Sequence, residues 1–366
     1  MKQIFHSSII FCFLLFASIL YCNGQTTQRF TADKTNEYSL VYSLPLTVVD
    51  ITIETEHIIK KPGEFNNFAN RYLSLKEEEV VRKSEHIVSV KSVTITPRGT
   101  ADPENRWQVQ FKNGSVPTMI LMEDGVPLSI NSETEAPIPS QLPKPVKATP
   151  TPLEGNAARE AVTEAMTRST TLSKKAEAAS TRIFELRERR SEIFSGDADA
   201  MPPDGQATRL ILEGLSAQEE ALTAMFTGTT QIYTEVSTIT FTPGLEDEGR
   251  VLLARISPLE GIVAKDDLSG IPLYLSYQIL SRGKLPVNEK GEVKKFPKGG
   301  VAYTIPGSAR ISLTFKNNII GQTDLDIAQL GATFGIDPGM FTDKKAPAYV
   351  EFSPITGAIV RIGTVQ

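Results

Sequence analysis

Residues 156–227 constrain the chain most, because they carry a helical period while everything on either side alternates with period two. Apolar or small residues recur at steps of three and four through Ala158, Val162, Ala165, Ser169, Leu172, Ala176, Ala179, Ile183, Leu186 and Ile193. That spacing is a heptad seam. Residues 157–194 contain no Pro or Gly, so the pattern predicts one helix of about 38 residues, roughly 57 Å long at 1.5 Å per residue, with Asn156 as its N-cap. A second run over 206–225 places Ile211, Leu215, Leu222 and Met225 on one face and stops at Gly228. Folded back antiparallel, it covers only the distal half of the first helix, where Ile183, Leu186 and Ile193 are large. Ala158, Val162, Ala165 and Ser169 on the proximal half are then left without a partner inside the hairpin, which makes them a candidate interaction surface.

The expected architecture is α+β: two mainly antiparallel β-domains with a long antiparallel helical hairpin inserted between them. Residues 1–24 read as a signal peptide, with Lys2 before an apolar run over 9–21 and a cleavage point between Gly24 and Gln25. Thirteen residues are short of the ~20 that span a bilayer, and Tyr21 disfavours lipid attachment at Cys22. Residues 25–135 form a β-rich domain with one short helix. Leu40, Tyr42 and Leu44 alternate, break at Pro45, and resume as Val49, Ile51 and Ile53, which fits two strands or one bent edge strand. Phe65, Phe68 and Tyr72 lie on one face of the short helix, as core or as a groove surface. Strands are expected over 87–96, 106–112, 118–122 and 127–130, separated by Pro97-Arg98-Gly99, Asn113-Gly114 and Asp124-Gly125 turns. Six prolines make residues 136–152 an extended linker. The hairpin domain spans 153–230, and strands over 231–242, 251–256, 273–280, 310–316, 349–353 and 358–362 build a second β-rich domain to residue 366, the last two as a hairpin.

The residue inventory narrows the chemistry. Removal of the leader takes away Cys12 and Cys22, so an exported mature chain has no thiol to pair or to act as nucleophile, and must be stabilised by burial alone. It keeps two histidines, His57 and His86, expected as ordinary surface residues beside strands; no Gly-x-Ser-x-Gly elbow accompanies them. Without residues 1–24, which include Lys2, the net charge is −6, from 37 basic and 43 acidic residues, and it argues against nucleic acid as the main partner. Asp266 with Asp267 and Asp324 with Asp326 are the carboxylate pairs from which a glycosidase could be built, although 43 acids make such pairs inevitable. Asp197, Asp199 and Asp204 in the turn between the helices imitate a calcium loop, but Met201 and Pro202 occupy positions that need an acid and a Gly. No catalytic residue or cofactor is assigned.

Several stretches, taken in order, then resemble a known family. They are Tyr42-Ser43-Leu44-Pro45 with its following strand, Lys61-Pro62-Gly63-Glu64-Phe65 with Phe68-Ala69 and Tyr72-Leu73, and the strand from Gly125 to Asn131. The hairpin tip, Gly196-Asp197 and Pro203-Asp204-Gly205, and Met225-Phe226-Thr227-Gly228 complete the set. Together they resemble the domain of unknown function 4831 family of predicted secreted proteins from Gram-negative bacteria, over essentially the whole mature chain. Asn66-Asn67 departs from the family pattern inside the aromatic helix. The resemblance implies export and a shared architecture, and it brings no activity, ligand or catalytic residue. The expected function is a non-enzymatic exported cell-envelope protein, periplasmic, outer-membrane-associated or extracellular, acting in binding or assembly with a protein partner or with itself. The alternative is a glycan-binding or glycan-hydrolysing protein using carboxylates and aromatics in an interdomain cleft.

Overall fold

The computed structural model describes residues 26–29, 39–110, 117–136, 141–198, 205–343 and 346–364. Its spine is a pair of very long antiparallel strands. Strand β2 (Ser39–Lys61) pairs with β3 (Glu85–Gln110) along nearly its full length, on the order of 75 Å if straight. β1 (Thr26–Arg29) adds to one end of β3, and β6 (Thr229–Phe241) pairs with residues 49–61 of β2, giving the order β1-β3-β2-β6.

One strand serves two cores on opposite faces: the even-numbered Tyr42 and Leu44 are buried in the first and the odd-numbered Val49, Ile51 and Ile53 in the second. At the register shift between Ser43 and Pro45 β2 advances two residues and keeps its alternation, while β3 advances from Arg106 to Ala101, so the extra residues lie in β3. Pro45 fits there because β6 pairs only from Val49 onward, so no ladder partner lies beyond β2 at that point. The expected bent edge strand is therefore an edge only over its first third. The expected Pro97-Arg98-Gly99 turn is instead uninterrupted strand, paired with Val49, Val48 and Thr47. Pro97 is tolerated because β1 reaches β3 only at 107–110, and Gly99 is required because a Cβ there would run into the Pro354 carbonyl.

The first core joins Tyr42, Leu44 and Val109 to Ile130, Val301, Val350 and Phe352. It is covered by the sheet β13-β12-β5-β4, with β4 (Met119–Leu121), β5 (Pro127–Ile130), β12 (Ala348–Phe352) and β13 (Ile359–Thr364). The Tyr42 hydroxyl receives the Ala302 backbone N–H at 2.7 Å, and burial drives its pKa far upward. The second core sets Val49, Ile51 and Ile53 against Leu273, Leu275, Tyr277, Ile311 and Ile327. Those residues belong to the sheet β11-β10-β9-β7-β8, with β7 (Glu248–Ser257), β8 (Gly261–Val263), β9 (Ile271–Ser281), β10 (Val301–Phe315) and β11 (Asn318–Ile336). β8 and β11 have no counterpart in the sequence reading. β11 follows a tight turn in which Lys316 and Asn317 both have positive φ, the geometry that matches hairpin twist; the signal for it was the Asn-Asn pair at 317 and 318. The Asn113-Gly114 turn lies outside the described residues.

The fold is thus mixed, with antiparallel sheets and an inserted helical hairpin. Strands from both sides of the hairpin share sheets, since β6 pairs with β2 and β12 pairs with β5. Residues 141–150 have no regular structure, but Val146 is tied to Thr234 of β6 by hydrogen bonds in both directions.

The expected 38-residue helix is three helices: α2 (Asn156–Glu160), α3 (Glu164–Arg168) and α4 (Leu172–Ser195). Each interruption has a local cause. The Thr163 hydroxyl accepts the Met166 N–H, and the Thr171 hydroxyl accepts the Lys174 N–H, so each threonine starts a new helix. Gly155, not Asn156, is the N-cap of α2. Gly196, at φ +82°, closes α4 as expected, and α5 (Gly205–Thr227) returns antiparallel to Gly228, at φ +81°.

Candidate functional site

The root of the hairpin is stitched into the body by two segments far apart in sequence. The 3₁₀ turn at Asn66–Phe68 packs beside α5, the helix α1 (Ala69–Leu73) that follows it packs beside α4, and the Phe65 and Phe226 rings meet at 5.3 Å. The Phe65 N–H donates to the Met225 carbonyl at 2.7 Å, and the Val81 N–H donates to the Thr227 carbonyl at 2.7 Å. Gly63 permits this approach, since a Cβ there would lie 2.7 Å from the Ala224 carbonyl and closer still to that of Met225. Ala176, Ala179, Ile183 and Leu186 of α4 and Leu222 and Phe226 of α5 complete a third, helical core. Two of the stretches that carried the family resemblance, 61–65 and 225–228, meet at this joint.

The other half of the hairpin is built differently. Among the described residues, none beyond Leu186 on α4 and none before Ala221 on α5 is buried. Phe194 is 73% exposed, and Leu210 and Ile211 are exposed as well. Charge holds the helices together here: Arg187 Nε donates to Glu219 at 2.6 Å, while Arg190 reaches the other Glu219 oxygen at 2.5 Å and the Ser216 hydroxyl at 3.3 Å. Between the two helices runs an open groove of about 530 Å³, floored by Phe194, Leu212 and Ala217. Along its α5 wall Arg209 lies toward the tip, then Glu213, then Glu220 toward the root.

The expected proximal surface is covered only in part: Ala158 is buried, and α2 packs against α5. Val162 and Ala165 are exposed, and the Ser169 hydroxyl donates to the Ala165 carbonyl at 2.6 Å. Of the aromatic stripe, Phe65 is buried, Phe68 is half-buried, and the Tyr72 hydroxyl hydrogen-bonds Ser173 at 3.0 Å. Past Ala158 the buried positions are Ala161 and Met166, each one residue away from the expected seam, because the helix breaks at Thr163 and Thr171 shift the phase of the short helices.

Other candidate chemistry is dispersed. Asp324 is locked to Arg310 by two short hydrogen bonds, at 2.7 and 2.8 Å, which hold its carboxyl below the usual range. It shares a recess of about 660 Å³ with Asp326, while Asp267, on the β8–β9 turn, accepts the Ser269 N–H at 2.8 Å. Asp197 is exposed after α4; Asp199 and Asp204 lie outside the described residues. Among the described residues no group of three His, Cys, Asp or Glu side chains could hold a metal ion. A second recess, about 590 Å³, lies at the hairpin root and is lined by Thr149, Thr151, Thr223 and Thr227 with Arg187 and Arg190.

His57 corrects the expectation of a surface histidine, for it is 1% exposed. It continues the inward row of β2 past Ile53, and its Nδ1 lies 3.2 Å from Nε2 of His86, which projects from the neighbouring strand β3. Its Nε2 faces the Thr55 hydroxyl at 3.2 Å and the Glu235 carboxylate at 3.5 Å, and the Tyr233 ring stacks on it at 4.6 Å. Gly261 at the start of β8 closes over the ring, so tightly that a Cβ there would lie 3.0 Å from Nε2. The sequence signal was parity: His57 is in phase with Ile51 and Ile53.

No helix among the described residues is long and apolar enough to cross a membrane. The model of one family, described as a domain of unknown function, matches residues 38–360. The chain belongs to the DUF4831 family. No curated protein and no solved structure matches it. For this DUF4831 chain the hairpin is therefore judged on its own geometry.

Proposed function

We propose that this DUF4831 protein is a non-enzymatic exported assembly protein whose projecting hairpin pairs with the hairpin of a second copy. One observation carries the reading: the distal half of the hairpin has no buried residue among those described, yet it keeps a groove of about 530 Å³ with an apolar floor. Two helices alone bury one seam, and a groove of this kind is filled when another helix packs into it. The order Arg209, Glu213, Glu220 favours a copy of the same hairpin as the occupant. In an antiparallel twofold pair the basic tip of one wall meets the acidic root end of the other, so a single patch complements itself. Export is supported by the apolar run at 9–21 after Lys2.

Light scattering on the exported chain, over a concentration series, tests the reading. The expected result is a dimer that Phe194→Glu and Leu212→Glu convert to a folded monomer. A strict monomer at all concentrations, or a dimer untouched by both substitutions, removes it.

A further inference from the structure

The imidazole pair, His57 buried and His86 half-buried, lies apart from the hairpin. Between His57 Nδ1 and His86 Nε2, 3.2 Å apart, only one nitrogen can carry the hydrogen. Glu235 offers His57 Nε2 an acceptor at 3.5 Å, and Thr55 lies on the same side at 3.2 Å. This places the His57 hydrogen on Nε2, leaves Nδ1 as acceptor, and makes His86 Nε2–H the donor. His86 can take a proton on its outer nitrogen without disturbing that bond. With His57 protonated instead, the His86 hydrogen can move to its outer nitrogen and leave Nε2 to accept from His57 Nδ1; only when both rings are protonated do two N–H groups face each other across the 3.2 Å contact.

The groups facing the ring come from every element packed on it: Thr55 from its own strand, His86 from β3, Tyr233 and Glu235 from β6, and Gly261 from β8. The last contact joins the long sheet to the second sheet, and it is made by backbone at a turn where Ser257 receives the Leu259 and Glu260 N–H groups.

We propose that the His57–His86 pair is an acid-sensitive latch, in which protonation of both rings parts them and lifts the Gly261 turn off the long sheet. Burial, opposed by the Glu235 carboxylate and reinforced by His86, holds the His57 pKa below its ordinary value. The sign follows: the unfolded chain binds the proton more readily, so the His57 contribution to stability is complete above pH ~6.5 and is lost as pH falls beneath it.

Hydrogen exchange on the full chain, corrected for the pH dependence of chemical exchange, reads the latch directly. Between about pH 7.5 and about pH 5, protection of residues 257–263 should fall about tenfold, while that of residues 176–186 holds. In His57→Gln and His86→Gln the fall should disappear, since glutamine can rotate its amide to donate or to accept. Should His57→Gln fail to fold, His86→Gln alone decides. Unchanged protection at low pH, a loss spread evenly over both segments, or an undiminished fall in His86→Gln overturns the proposal.

Discussion

The root and the tip of the hairpin are made from the same two helices, and they are held together by different forces. At the root, α4 and α5 close on Ile183, Leu186, Leu222 and Phe226, with α1 and Val80 sealing the other side. At the tip they touch only each other, and the contact rests on Glu219 gripped by Arg187 and Arg190. A two-helix layer cannot surround its own seam, so burial is complete only where a third element of the body covers it. The difference teaches that heptad spacing reports a contact face and is silent about what the face contacts.

The comparison can be broken by substitution. The largest effect is expected from Phe226→Ala, which empties a fully buried site and should lower stability by about 3–5 kcal/mol in denaturant unfolding. An effect below ~1 kcal/mol there would mean that the root is not a packed core. Thr171→Ala removes the hydroxyl that caps α4 and should cost about 1 kcal/mol; an unchanged midpoint would show that the break before Leu172 has another cause. Glu219→Gln weakens a partly exposed ion cluster, and solvent screening limits the loss to roughly 0.5–1 kcal/mol, shrinking further in molar salt. Insensitivity to salt would assign the tip contact to something other than charge. Phe194→Ala, at an exposed site, should shift the stability of a dilute monomer by less than about 0.5 kcal/mol. At concentrations where hairpins pair, the same change should weaken association, and this contrast between folding and assembly separates the tip from the root.

Much of the fold was legible in local pattern. The period-two runs at 273–280 and 349–362 became strands in their expected places, and the Asp124-Gly125 turn joins β4 to β5 with Gly125 at φ +89°. Prolines misled in both directions. Pro97 was read as a turn and lies within a strand, because a strand whose outer edge is unpaired needs no N–H there. At the hairpin, Thr163 and Thr171 were passed over since neither Pro nor Gly marks the breaks, although side-chain capping ends and restarts a helix just as well. Of the expected interaction surface, Ala158 and Phe65 are buried while Val162 and Ala165 are exposed, and the exposed groove formed by Phe194, Leu212 and Ala217 was not anticipated. Small residues signal a close approach, but the approaching element was α5 of the same chain.

By itself the sequence determined what depends on neighbours a few residues away: the alternation of the strands, the heptad face of α4 and α5, and the glycine stops at Gly196 and Gly228. Tertiary structure alone decided what depends on contacts between segments distant in the chain. It placed β6 beside β2, brought Gly63 under Met225, and covered Ala158. It also enclosed His57 between the long sheet and Gly261 of the second. The physical reason is that propensity and periodicity are set by the backbone of each segment, whereas burial is set by whichever distant segment arrives to exclude water.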